Sequence, residues 1–184
     1  MTDPSRIPLR YRWATAGDAD AIVALAQSAY RGDASRAGWT TEADFLDGQR
    51  IDREGVLELI GEGQGIVLAE RDDVEAALVG CCHVSREGDD AWFGLFAVDP
   101  GLQGHGIGDR LLIEAERRVV ESFHSRRLRM KVIWLRDSLI AWYQRRGFQR
   151  CEDTHPFPYG EPRFGLPRRD DLYFIVLEKP LVPA

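Results

Sequence analysis

Cysteine is scarce in this chain: three in 184 residues, two of them adjacent (Cys81, Cys82) and the third far away at Cys151. Such a set makes neither an even disulfide framework nor a C-x-x-C pair, so the thiols read as reduced and packed. Long apolar runs are missing too. None approaches the roughly 20 residues that cross a bilayer, and the polar start Met1-Thr2-Asp3-Pro4-Ser5-Arg6 lacks the apolar centre of a secretion signal, which makes a cytoplasmic location the expectation. Nor is there a surplus of basic charge. A net charge of −6 and a pI near 5.3 argue against a protein that coats nucleic acid or lies on a membrane, so any anionic ligand must be held by local groups. No internal repeat, low-complexity tract or linker interrupts the sequence. With 44% hydrophobic residues over this length, one domain spanning 1–184, with its core at about 10–179, is expected.

What is present is a change of hydrophobic period along the chain. Tyr11-Arg12-Trp13-Ala14 reads as a short strand, and Asp18 as the N-cap of a helix carrying Ile22, Val23, Leu25, Ala26 and Ala29 on one face. A Thr-Glu-Ala-Asp opening after Thr40 or Thr41 predicts a second helix with Phe45, Leu46 and Ile51 as its apolar positions. From Gly65 onward, Ile66–Glu70, Ala77–Val84 and Ala91–Val98 are compact apolar runs separated by acidic or glycine-bearing turns, the pattern of a strand meander. Leu111, Leu112, Ala115, Val119 and Phe123 then define a long amphipathic helix. A strand over Leu128–Val132 and a short helix over Ser138–Arg146, stopped at Gly147, come next. Phe148–Thr154 and Leu172–Leu177 close the series as strands flanking a long Pro/Gly/aromatic loop, His155 to about Asp170. Residues before about Leu9 and after about Pro180 are expected to be mobile tails.

One segment carries chemistry. At Val98-Asp99-Pro100 a strand ends, Gly101, Gly104, Gly106 and Gly108 follow, and a helix begins at once. Unpaired N–H groups of such a loop, with the positive end of the helix dipole, form an anion site that needs no cationic side chain, which is how an acidic protein can hold a pyrophosphate. The Walker pattern is excluded because the loop ends Gly106-Ile107-Gly108-Asp109 instead of Gly-Lys-Ser/Thr. A dinucleotide fingerprint would need glycine where Asp109 stands, and an earlier place in the chain.

The segment Val98, Pro100, Gln103, Gly106, Gly108 resembles the acyl-CoA loop of the GCN5-related N-acetyltransferase (GNAT) family, Gln/Arg-x-x-Gly-x-Gly/Ala after a strand ending Val-x-Pro. The likeness runs from about Arg10 to Lys179 and is strongest from Ala91 to Phe148. A second family-like element is Leu139 to Phe148, where Tyr143 falls four residues before the Gly147-Phe148 pair. The resemblance implies an α/β (α+β) fold, a central, mostly antiparallel mixed sheet of about seven strands flanked by about four helices. It also implies acetyl transfer from acetyl-CoA to a primary amine by direct attack in a ternary complex, with no metal. The pantetheine arm would pair with the main chain near Phe96, Ala97 and Val98, and the diphosphate would lie on Gln103, Gly104, His105, Gly106, Ile107 and Gly108. A backbone N–H near Phe96 would stabilise the oxyanion, and Tyr143 would protonate the departing thiolate. Two departures stand out: Arg136 where many members have asparagine, and Asp109, acidic beside the proposed pyrophosphate.

The base that deprotonates the amine stays open among Glu42, His83, Asp153 and His155. His83 beside Cys82 suggests zinc only superficially, because adjacent strand residues point to opposite faces and no fourth ligand has suitable spacing. The loop from His155 to Arg169 is read as a cover for the acceptor pocket, its aromatics excluding water and Arg163 and Arg168 binding a carboxylate. Trp39 with Thr40, Thr41 and Glu42 forms the opposite wall or seats the second helix. The acceptor partner is a small-molecule or peptide amine, and sheet edges and the aromatic loop are compatible with a homodimer. Two rivals remain: a non-catalytic acyl-CoA-binding module or sensor, and a nucleotide-dependent oxidoreductase with affinity for NAD or FAD.

Overall fold

The structure, a computed structural model, describes residues 7–73 and 75–181. The strands are β1 (Leu9–Trp13), β2 (Leu46–Asp47), β3 (Gln64–Arg71), β4 (Leu78–Glu87), β5 (Asp90–Val98), β6 (Arg127–Ile133), β7 (Gln149–Pro156), β8 (Leu166–Pro167) and β9 (Tyr173–Pro180). The helices are α1 (Ala19–Tyr30), α2 (Arg53–Glu58), α3 (Ile107–Phe123) and α4 (Asp137–Gln144). Seven strands form one sheet in the order β1-β3-β4-β5-β6-β9-β7, antiparallel except for β5 beside β6. This is the mixed sheet with four helices that the resemblance implied.

Two apolar clusters sandwich the sheet. On one side Leu111, Leu112, Ala115, Val119 and Phe123 of α3 bury against Val67, Val84, Phe93 and Leu128; on the other, Ile22, Leu25, Ala26 and Ala29 of α1 bury against Ile66, Leu68, Cys81 and Leu95. These are the helix faces the 3.6-residue period picks out. Burial pushes the Cys81 thiol up to about 12 and raises Cys82 as well, so both behave as packed, unreactive groups.

β5 is not a regular strand. Ala91 and Phe93 face α3, whereas Leu95 and Ala97 face α1, although strict alternation would put all four on one side. The register between β4 and β5 shifts between Cys81 and His83, and Leu95 there takes a positive φ of 44°. A branched residue in that region costs about 1–3 kcal/mol, and such strain gathers at functional sites. Pairing of β5 with β6 ends at Phe93–Met130, although both strands continue, so the sheet parts below that point.

Three sequence readings need correction. No helix follows Thr41: the chain makes turns there, Gly48 takes φ 76°, and helix α2 begins only at Arg53, capped by Asp52, whose Oδ1 accepts from Gly55 N at 2.7 Å. The apolar Leu46 is instead a strand residue, paired with Pro167. Accordingly the 155–170 segment is not all loop, since β7 runs on to Pro156 and β8 pairs with β2. Asp18 does stand at the N-cap position of α1, but its side chain makes no capping bond to that helix; its carboxylate accepts instead from Arg12 (2.7 and 2.8 Å) and from Thr15 N (2.8 Å). Apart from Ile7, Pro8 and Leu181, the expected mobile tails lie outside the described residues.

Candidate active site

The turn after β5 is built by its own short-range chemistry. Asp99 Oδ1 accepts from Gly101 N at 2.9 Å and Asp99 O from Leu102 N at 2.9 Å, closing the turn around Pro100. Gly104 (φ 87°) and Gly106 (φ 71°) then occupy left-handed conformations, and Gly106 sits at the N-cap of α3. Among the described residues, none of the amides from Gln103 to Asp109 donates to a protein acceptor; the first bond of the helix start is Arg110 N to Gly106 O. A Cβ on Gly104 or Gly106 would meet nothing within 4 Å, so the space above the loop is open. Unspent donors, a helix dipole and free volume are what a diphosphate requires.

A cavity of about 260 Å³ adjoins this loop. Phe96, Val98, Gln103, Gly104, Gly106, Ile107, Gly108 and Tyr143 line it, as do Tyr30, Trp39, Thr40, Arg136 and Trp142. Of the residues singled out in the sequence, Ala97 is absent from the lining because its side chain packs toward α1, and His105 is exposed, with Nδ1 3.2 Å from Leu102 O. Gln103 is present but occupied: its Nε2 donates to Thr40 Oγ1 (3.0 Å) and its Oε1 accepts from Trp39 N (2.9 Å). Trp39 and Thr40 thus belong beside the glycine loop, not on a separate acceptor wall. Asp109 is answered by Arg146, which donates to it while stacking 3.5 Å over the Trp142 ring.

Tyr143 lies at the inner end. Its ring packs against Phe96, Trp142 and Phe148, and its hydroxyl makes no hydrogen bond with another described residue. Burial drives its pKa well above the ordinary value near 10. A narrow cleft of about 80 Å³, bordered by Phe93 to Phe96 of β5, Met130 to Ile133 of β6, Tyr30, Arg136 and Tyr143, fills the gap where the strands part. Leu95 and Phe96 fall in neither ladder register, and their carbonyls accept from the Cys81 thiol (3.7 Å) and the Tyr30 hydroxyl.

Beyond the cleft opens a cavity of about 550 Å³. Phe157, Pro158 and Phe164 of the long loop line it, so that loop does contribute aromatic cover. Its arginines do not line this cavity. Arg168 holds Asp47 through two bonds of 2.6 and 2.8 Å, and Arg163 reaches Glu58 at 2.8 Å, both on the surface. The cations that do line the cavity, Arg31, Arg50 and Lys131, have no periodic or motif signal in the sequence.

The four candidate bases separate on position. Asp153 is exposed and bound to Arg129 at 2.8 Å, and His83 lies in a different cavity, pushed down to about 4 by burial. Glu42 and His155 both line the 550 Å³ cavity. Glu42, however, is buried between Arg31 and Arg136 (2.9 Å). Burial alone would raise its carboxyl, but Arg136, Arg31 and Arg50 outweigh that and hold it below the ordinary range. Arg136, which also donates to Thr40 O at 2.6 Å, is therefore committed to the protein's own wall.

That cluster makes a stability prediction. Glu42→Gln should cost about 2 kcal/mol at pH 7, the worth of hydrogen bonds to charged groups. Because the folded carboxyl titrates below the unfolded one, its contribution is complete above about pH 4.3 and fades as pH falls through the lower folded value. Urea unfolding of both proteins at pH 7 and pH 3 should show the difference shrinking in acid; an equal difference at both would remove the ionised-carboxylate account.

The family model described as an acetyltransferase (GNAT) domain matches residues 62–150, from the turn before β3 to the start of β7. No curated protein sequence matches the chain. Among solved structures, the ribosomal-protein-S18-alanine N-acetyltransferase from Escherichia coli superposes with a TM-score of 0.69 at 16% identity, covering 96% of each chain. Nourseothricin acetyltransferase gives 0.65 at 20%, covering 95% of this chain and 99% of that one. An N-acetylglutamate synthase from Neisseria gonorrhoeae, complexed with coenzyme A and N-acetyl-glutamate, gives 0.63 at 21%, covering 95% of this chain and 35% of that one. At these identities the likeness is one of fold. Residues 62–150 thus match the model of a GNAT acetyltransferase domain, and the chain as a whole shares the fold of these acetyltransferases. Among the described residues no helix is long and apolar enough to cross a membrane, and no group of His, Cys, Asp and Glu is arranged to hold a metal ion.

Proposed function

We propose that residues 10–179 act as one unit that moves an acetyl group from acetyl-CoA to the primary amine of an acceptor, by direct attack while both are bound. The observation that carries this reading is the row of adjoining cavities with shared walls: the one beside the unspent amides of 103–109 shares Phe96 and Tyr143 with the cleft at the strand gap, which in turn shares Phe93 and Lys131 with the 550 Å³ cavity. The donor's diphosphate sits on the glycine loop, the pantetheine runs along β5, and the thioester reaches the gap. There the amine nitrogen attacks the carbonyl carbon, an amide of the unpaired Leu95–Phe96 stretch stabilises the developing oxyanion, and the C–S bond breaks. Tyr143 donates the proton, or a strong hydrogen bond, that the leaving thiolate needs. His155 lines the acceptor cavity without the two arginine partners that occupy Glu42, and takes the amine's proton directly or through water.

Titrating acetyl-CoA by calorimetry and following thiol release across a panel of small amines and peptides tests the reading. Saturable binding with amine-dependent thiol release is expected. Binding with no transfer to any member of the panel would favour a coenzyme-binding module, and affinity for NAD or FAD in place of coenzyme A would overturn the assignment.

A further inference from the structure

Resting on the acetyl-transfer reading, we infer that the acceptor is a small amine bearing a carboxylate on an apolar body, its anion held by Arg50 and Lys131 in the 550 Å³ cavity. Charge in that cavity does not balance. Arg31, Arg50 and Lys131 face Glu42 and Glu87. Glu42 already spends both oxygens on Arg31 and Arg136, and Glu87 accepts from the Trp92 indole. Arg50 adds to the field on Glu42 from a distance, but neither it nor Lys131 makes a direct ion pair with a carboxylate among the described residues; each rests on a ring, Tyr30 at 5.3 Å and Trp92 at 5.2 Å. Nearby arginines of the surface behave otherwise: Arg163, Arg168 and Arg169 are each paired with an acid.

In a protein of net charge −6, two cations kept free beside one cavity leave a positive field that an anion would neutralise. Apart from His155, the rest of the wall is apolar and includes Trp92, Phe93, Phe157, Phe164 and Phe174, which suits an aliphatic or aromatic body. Arg50 and Lys131 also border the cleft that leads to Tyr143, so an amine close to the carboxylate would lie at the strand gap.

The test compares leucine, phenylalanine and tryptophan with isopentylamine, phenethylamine and tryptamine, which differ from them only in the carboxylate. Calorimetry on the full chain loaded with coenzyme A should show the N-acetyl amino acids binding at least about tenfold more tightly than the N-acetyl amines. Arg50→Gln and Lys131→Gln should each erase most of that preference without changing acetyl-CoA affinity. Equal binding, preference for the amines, or no binding of either set overturns the inference, as does a preference that survives both substitutions. Thiol release is scored separately: a carboxylate preference in binding with no release from any amine would sink the transfer reading, and with it the acceptor role, and leave standing only the carboxylate site formed by Arg50 and Lys131.

Discussion

Gly106→Val is expected to weaken acetyl-CoA binding by at least about 100-fold. The residue holds φ 71° and ψ 14° at the N-cap of α3, a conformation that a β-branched side chain resists. Staying there would cost about 1–3 kcal/mol; relaxing would re-aim the peptide planes on either side and with them the amides of Ile107 and Gly108. Hydrogen bonds to a charged group are worth about 1.5–3 kcal/mol each, so losing two corresponds to roughly 3–6 kcal/mol, or two to four decades in Kd. Since an added Cβ meets no neighbour, the effect falls on the ligand more than on the core. Calorimetry supplies the Kd, and near-UV circular dichroism shows whether the variant is folded. A folded variant that binds within threefold of wild type would mean the loop does not hold the diphosphate.

Tyr143→Phe is the second large effect. It should lower kcat by about 10²–10⁴-fold, the usual worth of a placed proton donor, with acetyl-CoA affinity changed little. The ring stays, so its packing on Phe96, Trp142 and Phe148 stays too. The sign of the pH dependence follows from burial. A phenol whose pKa is raised remains protonated, and so remains a donor, at every pH below that raised value. The wild-type rate should therefore show no alkaline loss attributable to Tyr143 up to about pH 10. A kcat within threefold of wild type would reduce Tyr143 to a packing residue.

The glycine-loop side of the molecule was legible because it is local. Asp99, Pro100 and the glycines specify a turn through their own backbone preferences, and the α3 stripe of Leu111, Leu112, Ala115, Val119 and Phe123 declares its buried face through spacing alone. Segment 40–60 was misread because tertiary contacts overrode propensity. Glu42 looks like a helix-opening residue but is drawn in by Arg31 and Arg136, and Leu46 joins Pro167, 121 residues later, in a two-stranded ladder. The same limit hid Arg31, Arg50 and Lys131. Nothing in their neighbours along the chain tells that they converge on one cavity, whereas Arg163 and Arg168, conspicuous in an aromatic loop, turn outward to Glu58 and Asp47. The irregularity at Leu95 was equally silent, since the continuous apolar run from Ala91 to Val98 reads as an ordinary buried strand.

The wall of the larger cavity draws on residues as far apart as Arg31, Trp92, Lys131, Phe157 and Phe174, while the glycine loop with its unspent amides is seven consecutive positions. Inheritance therefore acts differently on the two halves. Under the proposed function, a change in any one of the scattered contributors would redirect which amine is accepted yet leave the contiguous loop intact, so a lineage built on this plan would exchange its nucleophile repeatedly while keeping a single acyl source.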